Sequence, residues 1–167
     1  ELHNSQLLEN LLKKSGKQSI NTFDVPIRDI RLSANDCPKN EEERKAVEHL
    51  PYRAILGQCG WIATTTNPPI SYAYKELARF ANNFGRAHWN ALLELVGYLK
   101  KYRNKRLIIA RGGGMLLFAY CDADWNGCKD THLSTTGWII FLGDAPISWC
   151  AKTQRCVAKS TAESEYV

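Results

Sequence analysis

Apolar residues recur at helical spacing over most of the first hundred positions, then at strand spacing. Ser5 to Lys14 predicts a short amphipathic helix. Leu7, Leu8, Leu11 and Leu12 share a face, Lys13 and Lys14 suit the negative end of the dipole, and Gly16 stops it. Asn21 to Asn40 lacks a period and holds Pro26 and Pro38, so it predicts extended loop. Glu41-Glu42-Glu43-Arg44-Lys45 predicts a solvated helix face. From Pro51, which suits a first helical position, Ile55, Cys59 and Ile62 recur at helical spacing until Thr64-Thr65-Thr66-Asn67-Pro68-Pro69 breaks the pattern. Two further helices are predicted, Ile70 to Asn82 and Arg86 to Arg103. The second carries Trp89, Leu92, Leu93, Val96 and Leu99 on one side, with Gly97 weakening it locally.

At Arg106 the period changes. Leu107-Ile108-Ile109 is strand-like, Gly112-Gly113-Gly114 turns the chain, and Met115 to Asp122 predicts a second strand. Gly137 to Leu142 predicts a third. Gly143-Asp144 then turns it into Pro146-Ile147-Ser148-Trp149-Cys150, and Gln154 to Ala158 adds one more strand before a helix begins near Ser160. Short apolar runs joined by tight turns imply an antiparallel meander. The fold class is therefore mixed α+β, dividing near residues 104–114 into a helical and a β part.

Composition narrows the picture. The 167 residues suffice for one domain or two small units, and no apolar run approaches the roughly 20 residues of a membrane-spanning helix. The start shows no basic segment leading into an apolar one, and the missing initiator Met reads as an excerpt of a longer polypeptide. Six cysteines (Cys37, Cys59, Cys121, Cys128, Cys150, Cys156) contain no C-x-x-C pair and do not combine with the four histidines in zinc spacing. Three of them, Cys59, Cys121 and Cys150, lie in apolar runs, so free thiols in the core are expected. The net charge of +5 is uneven: 18 Lys and Arg face 11 Asp and Glu up to residue 115, but 4 face 6 beyond it. The basic part suits a polyanion and the acidic part a cation.

Two acidic segments carry the candidate chemistry. Tyr120-Cys121-Asp122-Ala123-Asp124-Trp125 ends an apolar run, and strand alternation points Asp122 and Asp124 the same way. Mg²⁺ is satisfied by a few carboxylate oxygens and retained waters, so the pair suits a metal. Equally, Asp124 suits the start of a turn with Asn126-Gly127. Ser160-x-x-Glu163 matches a capping box, and Glu165 lies about 200° around the helix from Glu163. Glu163 is thus the better cap and Glu165 the better ligand. Lys100, Lys101, Arg103, Lys105, Arg106 and Arg111, with Tyr98 and Tyr102 nearby, suit either phosphate tracking or a solvated helix end. Gly112-Gly113-Gly114 lacks the Lys-Ser/Thr of a phosphate-binding loop. His88-Trp89 reads as a packed helix face.

The order Tyr52-Arg53-x-Ile55-Leu56-Gly57, Ala87-His88-Trp89, Tyr98-Leu99-Lys100, Asp122-Ala123-Asp124-Trp125, Ser134-Thr135-Thr136-Gly137, Ile147-Ser148-Trp149 and Glu163-Ser164-Glu165-Tyr166 resembles the Pol polyprotein of copia-type LTR retrotransposons. The resemblance spans nearly the whole chain. It implies a reverse transcriptase thumb/connection-like region over residues 1–104. Residues 105–167 would then open an RNase H-like domain, an incomplete sheet followed by the start of its first helix. Asp122 matches the first-strand carboxylate of RNase H and Glu165 the first-helix one. Both would bind Mg²⁺ (or Mn²⁺) for two-metal hydrolysis of the RNA strand of an RNA–DNA hybrid. Asp124 has no such assignment. The family's remaining carboxylates would lie beyond Val167 and its polymerase aspartates before Glu1, so this chain alone is expected to be inactive. The implied partners are an RNA–DNA hybrid or other nucleic acid and the remainder of the Pol polyprotein. The implied location is the cytoplasm, in the virus-like particle of the parent element, or the nucleus. A different expectation is a non-catalytic nucleic-acid-binding remnant of a decayed or domesticated element, gripping through Lys100, Lys101, Arg103, Lys105 and Arg106.

Overall fold

The computed structural model describes residues 4–15, 20–28, 32–109 and 116–167. Among them are six α-helices and one three-stranded antiparallel sheet, a mixed α+β architecture. The helices are α1 (Ser5–Lys14), α2 (Glu41–Glu48), α3 (Tyr52–Thr65), α4 (Ser71–Ala78), α5 (Arg86–Lys101) and α6 (Thr161–Tyr166). The strands are β1 (Leu117–Asp124), β2 (Thr135–Leu142) and β3 (Ala145–Thr153), in the order β1-β2-β3.

The helical periodicity of the sequence translates directly into a core. Leu8 and Leu11 of α1, Tyr52, Ile55, Leu56, Cys59 and Ile62 of α3, Leu77 of α4, and Leu92, Leu95 and Val96 of α5 are buried together. Tyr52 is fully buried, and its hydroxyl donates to the Leu77 carbonyl at 2.9 Å. Gly97 is not merely a weak point of α5. A Cβ there would come within 2.2 Å of the Asn21 carbonyl oxygen, so this glycine lets the 20–28 segment lie against the helix.

The structure departs from the sequence pattern in several places, among them a 3-10 turn at Ala34–Asp36 inside the stretch expected to be extended loop. Pro51 caps α3 from outside instead of opening it, a shift of one residue. The 70–82 helix is shorter: Pro68–Ile70 forms a 3-10 turn, α4 proper covers Ser71–Ala78, and turns follow. Leu107-Ile108-Ile109 is not a strand. Leu107 makes one isolated bridge, while Ile108 and Ile109 are exposed without a ladder. Arg111, the Gly112–Gly114 turn and Met115, like Gly16, lie outside the described residues. Gln154 to Ala158 does not extend the sheet either. The Gln154 amide makes the last rung to the Ser134 carbonyl (2.9 Å), and its buried side chain then donates to Thr136 Oγ1 (2.9 Å) and to the Ser164 carbonyl (2.7 Å). Those bonds tie the chain to α6 instead of to a further strand.

The meander itself forms as the alternation predicts. β1 pairs with β2 so that Phe118, Tyr120 and Asp122 face Phe141, Ile139 and Gly137, and Phe118 stacks on Phe141 at 5.1 Å. β2 pairs with β3 through Gly137↔Ala151 and Ile139↔Trp149, with an irregularity between Ile140 and Phe141. β1 is paired on one side only and is almost wholly exposed.

The main buried cluster stops at Leu99, so the sheet joins the helices by polar contacts more than by shared core. The Asp130 carboxylate takes bonds from Ser33 Oγ (2.7 Å), the Ala34 amide (3.0 Å) and Arg79 Nη2 (2.7 Å). Arg79 also pairs with Glu76 (2.8 Å), and Lys75 donates to Thr135 Oγ1 at the start of β2 (2.6 Å). Trp149 donates its indole N–H to the Ala63 carbonyl at 2.6 Å.

Burial would raise the pKa of Asp130, but the bonds from Ser33 and Ala34 and the Arg79 charge outweigh it and hold the carboxyl below its ordinary 3.8. Its stabilisation is therefore complete above that value and disappears as pH falls through the lower folded-state value. Asp130→Ala is expected to cost about 0.5–1.5 kcal/mol at neutral pH, the net range of an intramolecular hydrogen bond whose partners stay within reach of water. Urea unfolding should show that gap closing in acid. A gap undiminished at about pH 2 would assign the loss to packing instead.

Candidate metal and nucleic-acid site

Asp122 sits near the C-terminal end of β1, exposed, directly opposite Gly137. By strand alternation it shares a face with Tyr120, Ile139, Trp149 and Ala151, the face turned toward α3 and α4. Asp124, two residues on, is drawn into the following turn. Its carboxylate lies so close over Gly127 that an added Cβ would meet Oδ2 at 2.2 Å. Asn126 adopts the left-handed region there (φ 55°). The turn role of Asp124 is the one the geometry supports.

Glu165 is delivered by α6, and the sequence explains how. Ser160 Oγ accepts from the Glu163 amide at 3.1 Å, and Glu163 Oε2 accepts from the Lys159 amide at 2.7 Å. Glu163 is the cap, as expected, although it reaches one residue further back than a capping box would. Ser164 is buried beneath the helix, and Trp125 Nε1 donates to the Ala158 carbonyl at 2.9 Å. So fixed, Glu165 presents Oε1 to the amide of Ala123 at 3.2 Å. In this ladder Leu116 bonds across to Gly143, so even-numbered residues of β1 pair with β2 and odd-numbered ones point outward. Glu165 thus closes an amide on the free edge of β1, one residue from Asp122.

The donor set fits a hard divalent cation in kind. Both groups are carboxylates and both are exposed, which leaves room for retained waters. One oxygen of Glu165 is engaged by Ala123, and among the described residues no group of three or more His, Cys, Asp or Glu is placed to hold a metal ion.

The basic segment is partly committed to structure. Lys100 Nζ donates to the Ile20 carbonyl at 3.2 Å, and Lys101 pairs with Asp24. That hydrogen bond and charge hold the Asp24 carboxyl below its usual range and raise the Lys101 ammonium above its own. Lys105 Nζ stands 4.0 Å over the Tyr102 ring. Arg103 and Arg106 are exposed beside them. Arg111 is outside the described residues.

His88 is fully buried, accepts from the Gly85 amide at 2.9 Å and packs on Phe80, so it is a core residue. Burial lowers its proton affinity, which keeps it neutral. All six cysteines are free. Burial pushes the Cys59 thiol up to about 12. Cys121, expected in the core, is exposed because β1 has no covered face there.

The Lys75–Glu76–Arg79–Asp130 network went unread in the sequence. Glu76 and Arg79 have the i,i+3 spacing of a helix pair, but Asp130 joins them from 51 residues beyond Arg79, where no spacing rule reaches.

No protein-family model matches this sequence, and no solved structure matches it. Among curated proteins it is 39% identical over 122 residues to the retrovirus-related Pol polyprotein from transposon RE1 of Arabidopsis thaliana, covering 73% of this chain and 8% of that protein. It is 30% identical over 167 residues to the retrovirus-related Pol polyprotein from transposon TNT 1-94 of Nicotiana tabacum, covering 99% of this chain and 12% of that protein. A third similarity, 33% over 121 residues, is to secreted RxLR effector protein 161 of Plasmopara viticola, covering 72% of this chain and 85% of that protein. Fold and site together define a mixed α+β module in which a helix carboxylate, Glu165, closes an amide on the free edge of the strand that also carries Asp122. By these similarities the chain belongs with the retrovirus-related Pol polyproteins of transposons, as a Pol-derived sequence.

Ser160→Ala removes the cap of a six-residue helix, at a cost of about 0.5–2 kcal/mol to that helix. Hydrogen exchange at the Ala123 amide is expected to accelerate in this variant and in Glu165→Ala. Unchanged exchange in both would mean that Glu165 does not hold that amide in solution.

Proposed function

We propose that this sequence is the part of a copia-type reverse transcriptase/RNase H in which Asp122 and Glu165 address the scissile phosphodiester of an RNA–DNA hybrid. The observation that supports the reading is the 3.2 Å bond from the amide of Ala123, the residue after Asp122, to Glu165. In their bound state, Mg²⁺ or Mn²⁺ ions supply an activated water and stabilise the leaving 3′ oxygen. The chain's own contribution is positional. Asp122 is carried by a strand paired with β2, while Glu165 is oriented by the Ala123 amide and by the Ser160 cap. Gln154 fixes α6 to β2. Residues 1–104 would be the thumb/connection-like part and residues 105–167 the RNase H-like part. The remainder of the polyprotein completes the carboxylate set.

The test is metal-dependent cleavage of a labelled hybrid by a longer natural polypeptide containing this sequence. Asp122→Asn is expected to lower the rate by roughly a hundredfold or more, the scale for losing a group that stabilises developing charge. Cleavage unaffected by Asp122→Asn would sink the assignment.

The basic segment serves hybrid binding through its exposed cations Arg103, Lys105 and Arg106; Lys101 is paired with Asp24. Neutralising those three is expected to weaken binding in a sequence-independent way. Its salt dependence should flatten too, by about 0.9 in logarithmic slope for each duplex-DNA phosphate left without a cation from the protein. If binding persists and cleavage is absent even in the longer polypeptide, the non-catalytic remnant becomes the better description.

A further inference from the structure

A concave site lies on the reverse face of the sheet, away from Asp122. Asp122 stands opposite Gly137, so strand alternation turns Thr136 and Trp138 to the other side. Lys152, paired directly with Thr136, joins them there. With Thr153, Gln154 and Arg155, where β3 runs on toward α6, they line a cleft of about 270 Å³. That is just below the roughly 300–1,000 Å³ of pockets for drug-sized ligands, so it suits a small ligand or one end of a larger one.

The lining is rich in donors. Its formal side-chain charges are Lys152 and Arg155, both positive and both exposed. Among the described residues neither makes an ion pair or a hydrogen bond, whereas Lys75, Arg79 and Lys101 are each held by a carboxylate. Three of the four cations beyond residue 115 fall at 152, 155 and 159, although that half of the chain is acidic overall. Thr136 Oγ1 accepts from Gln154 Nε2 at 2.9 Å, which leaves its own proton to donate. Gln154 is buried, and its Oε1 has no hydrogen-bond partner among the described residues. Its Nε2 is committed to Thr136 and to the Ser164 carbonyl, so the amide cannot turn over to relieve that oxygen. A ligand that answers this lining brings negative charge to the cations and a donor toward Gln154.

We propose that the cleft binds a phosphate monoester, either a small phosphorylated molecule or the phosphorylated end of a strand. At neutral pH such a group carries about −1.5 to −2 charge and three acceptor oxygens, which matches two cations and the Thr136 hydroxyl. A backbone diester carries a single charge, and a carboxylate offers only two oxygens. The fraction of monoester that keeps a proton supplies the O–H that Gln154 Oε1 lacks. Trp138, exposed beside the cations, gives the esterified group an apolar flank. Because it stands on the face opposite Asp122, this site does not rest on the phosphodiester reading.

The probes are inorganic phosphate and two fluorescent DNA strands of one sequence, one ending in a 5′-phosphate and the other in a 5′-hydroxyl. They are read with no divalent metal added, on a longer natural polypeptide in which Val167, which also lines the cleft, continues into a peptide bond. Inorganic phosphate is expected to bind saturably. The 5′-phosphate strand should bind about tenfold tighter than the 5′-hydroxyl strand, the scale of one charge-assisted hydrogen bond. Lys152→Gln with Arg155→Gln should abolish both effects and leave the thermal transition unchanged, since both side chains are exposed. Lys13→Gln with Lys129→Gln removes the same charge from residues that do not line the cleft, and both effects should persist. Saturable phosphate binding without a strand preference assigns the cleft to small phosphate esters; the reverse assigns it to a strand end. Absence of both effects, their survival in Lys152→Gln with Arg155→Gln, or their equal loss in Lys13→Gln with Lys129→Gln overturns the site.

Discussion

The Asp130 carboxylate is the point on which the two halves of this chain are joined. It gathers an amide, a hydroxyl and a guanidinium from the helical side, while its own backbone belongs to the loop between β1 and β2. The apolar core cannot make this join, because its main buried cluster ends within α5. A sheet attached by directional contacts is placed with more angular definition than one resting on a greasy surface, and that orientation sets where Asp122 faces. The cost is dependence on charge, since this part of the seam weakens as Asp130 is protonated, while the Lys75–Thr135 and Trp149–Ala63 bonds remain.

Much of the fold was legible because helices announce themselves through periodicity. Leu8 and Leu11, Ile55 and Cys59, Leu92 and Val96 sit where the 3.6-residue repeat places them. The strands of the meander were legible for the same reason, through alternation and a Gly-Asp turn. Elsewhere the pattern misled. Leu107-Ile108-Ile109 has the composition of a strand but finds no ladder, because strand formation depends on a partner that composition does not specify. Gln154 to Ala158 failed for a local reason, a single amide side chain binding α6 and β2 at once.

The candidate site divides the same way. Glu163 and Glu165 were separable in advance because helical angle distinguishes a cap from a face, and the geometry respects that distinction. Asp124 could be either ligand or turn former until the position of Gly127 was known. The basic segment looked uniform in sequence, yet Lys100 and Lys101 are engaged by a carbonyl and a carboxylate from the 20–28 segment, far earlier in the chain. No spacing rule anticipates a pairing of that range.

One consequence follows from the exposed first strand. β1 carries Leu117, Phe118 and Tyr120 in the open and has an edge whose outward amides could template another chain. Glu165 sits over one of those amides with a negative charge, the kind of device by which proteins discourage strands from adding to an open sheet. The contact that anchors α6 to β1 is therefore also a guard against self-association. Any ligand that draws the Glu165 carboxylate away would leave the strand stickier than it found it.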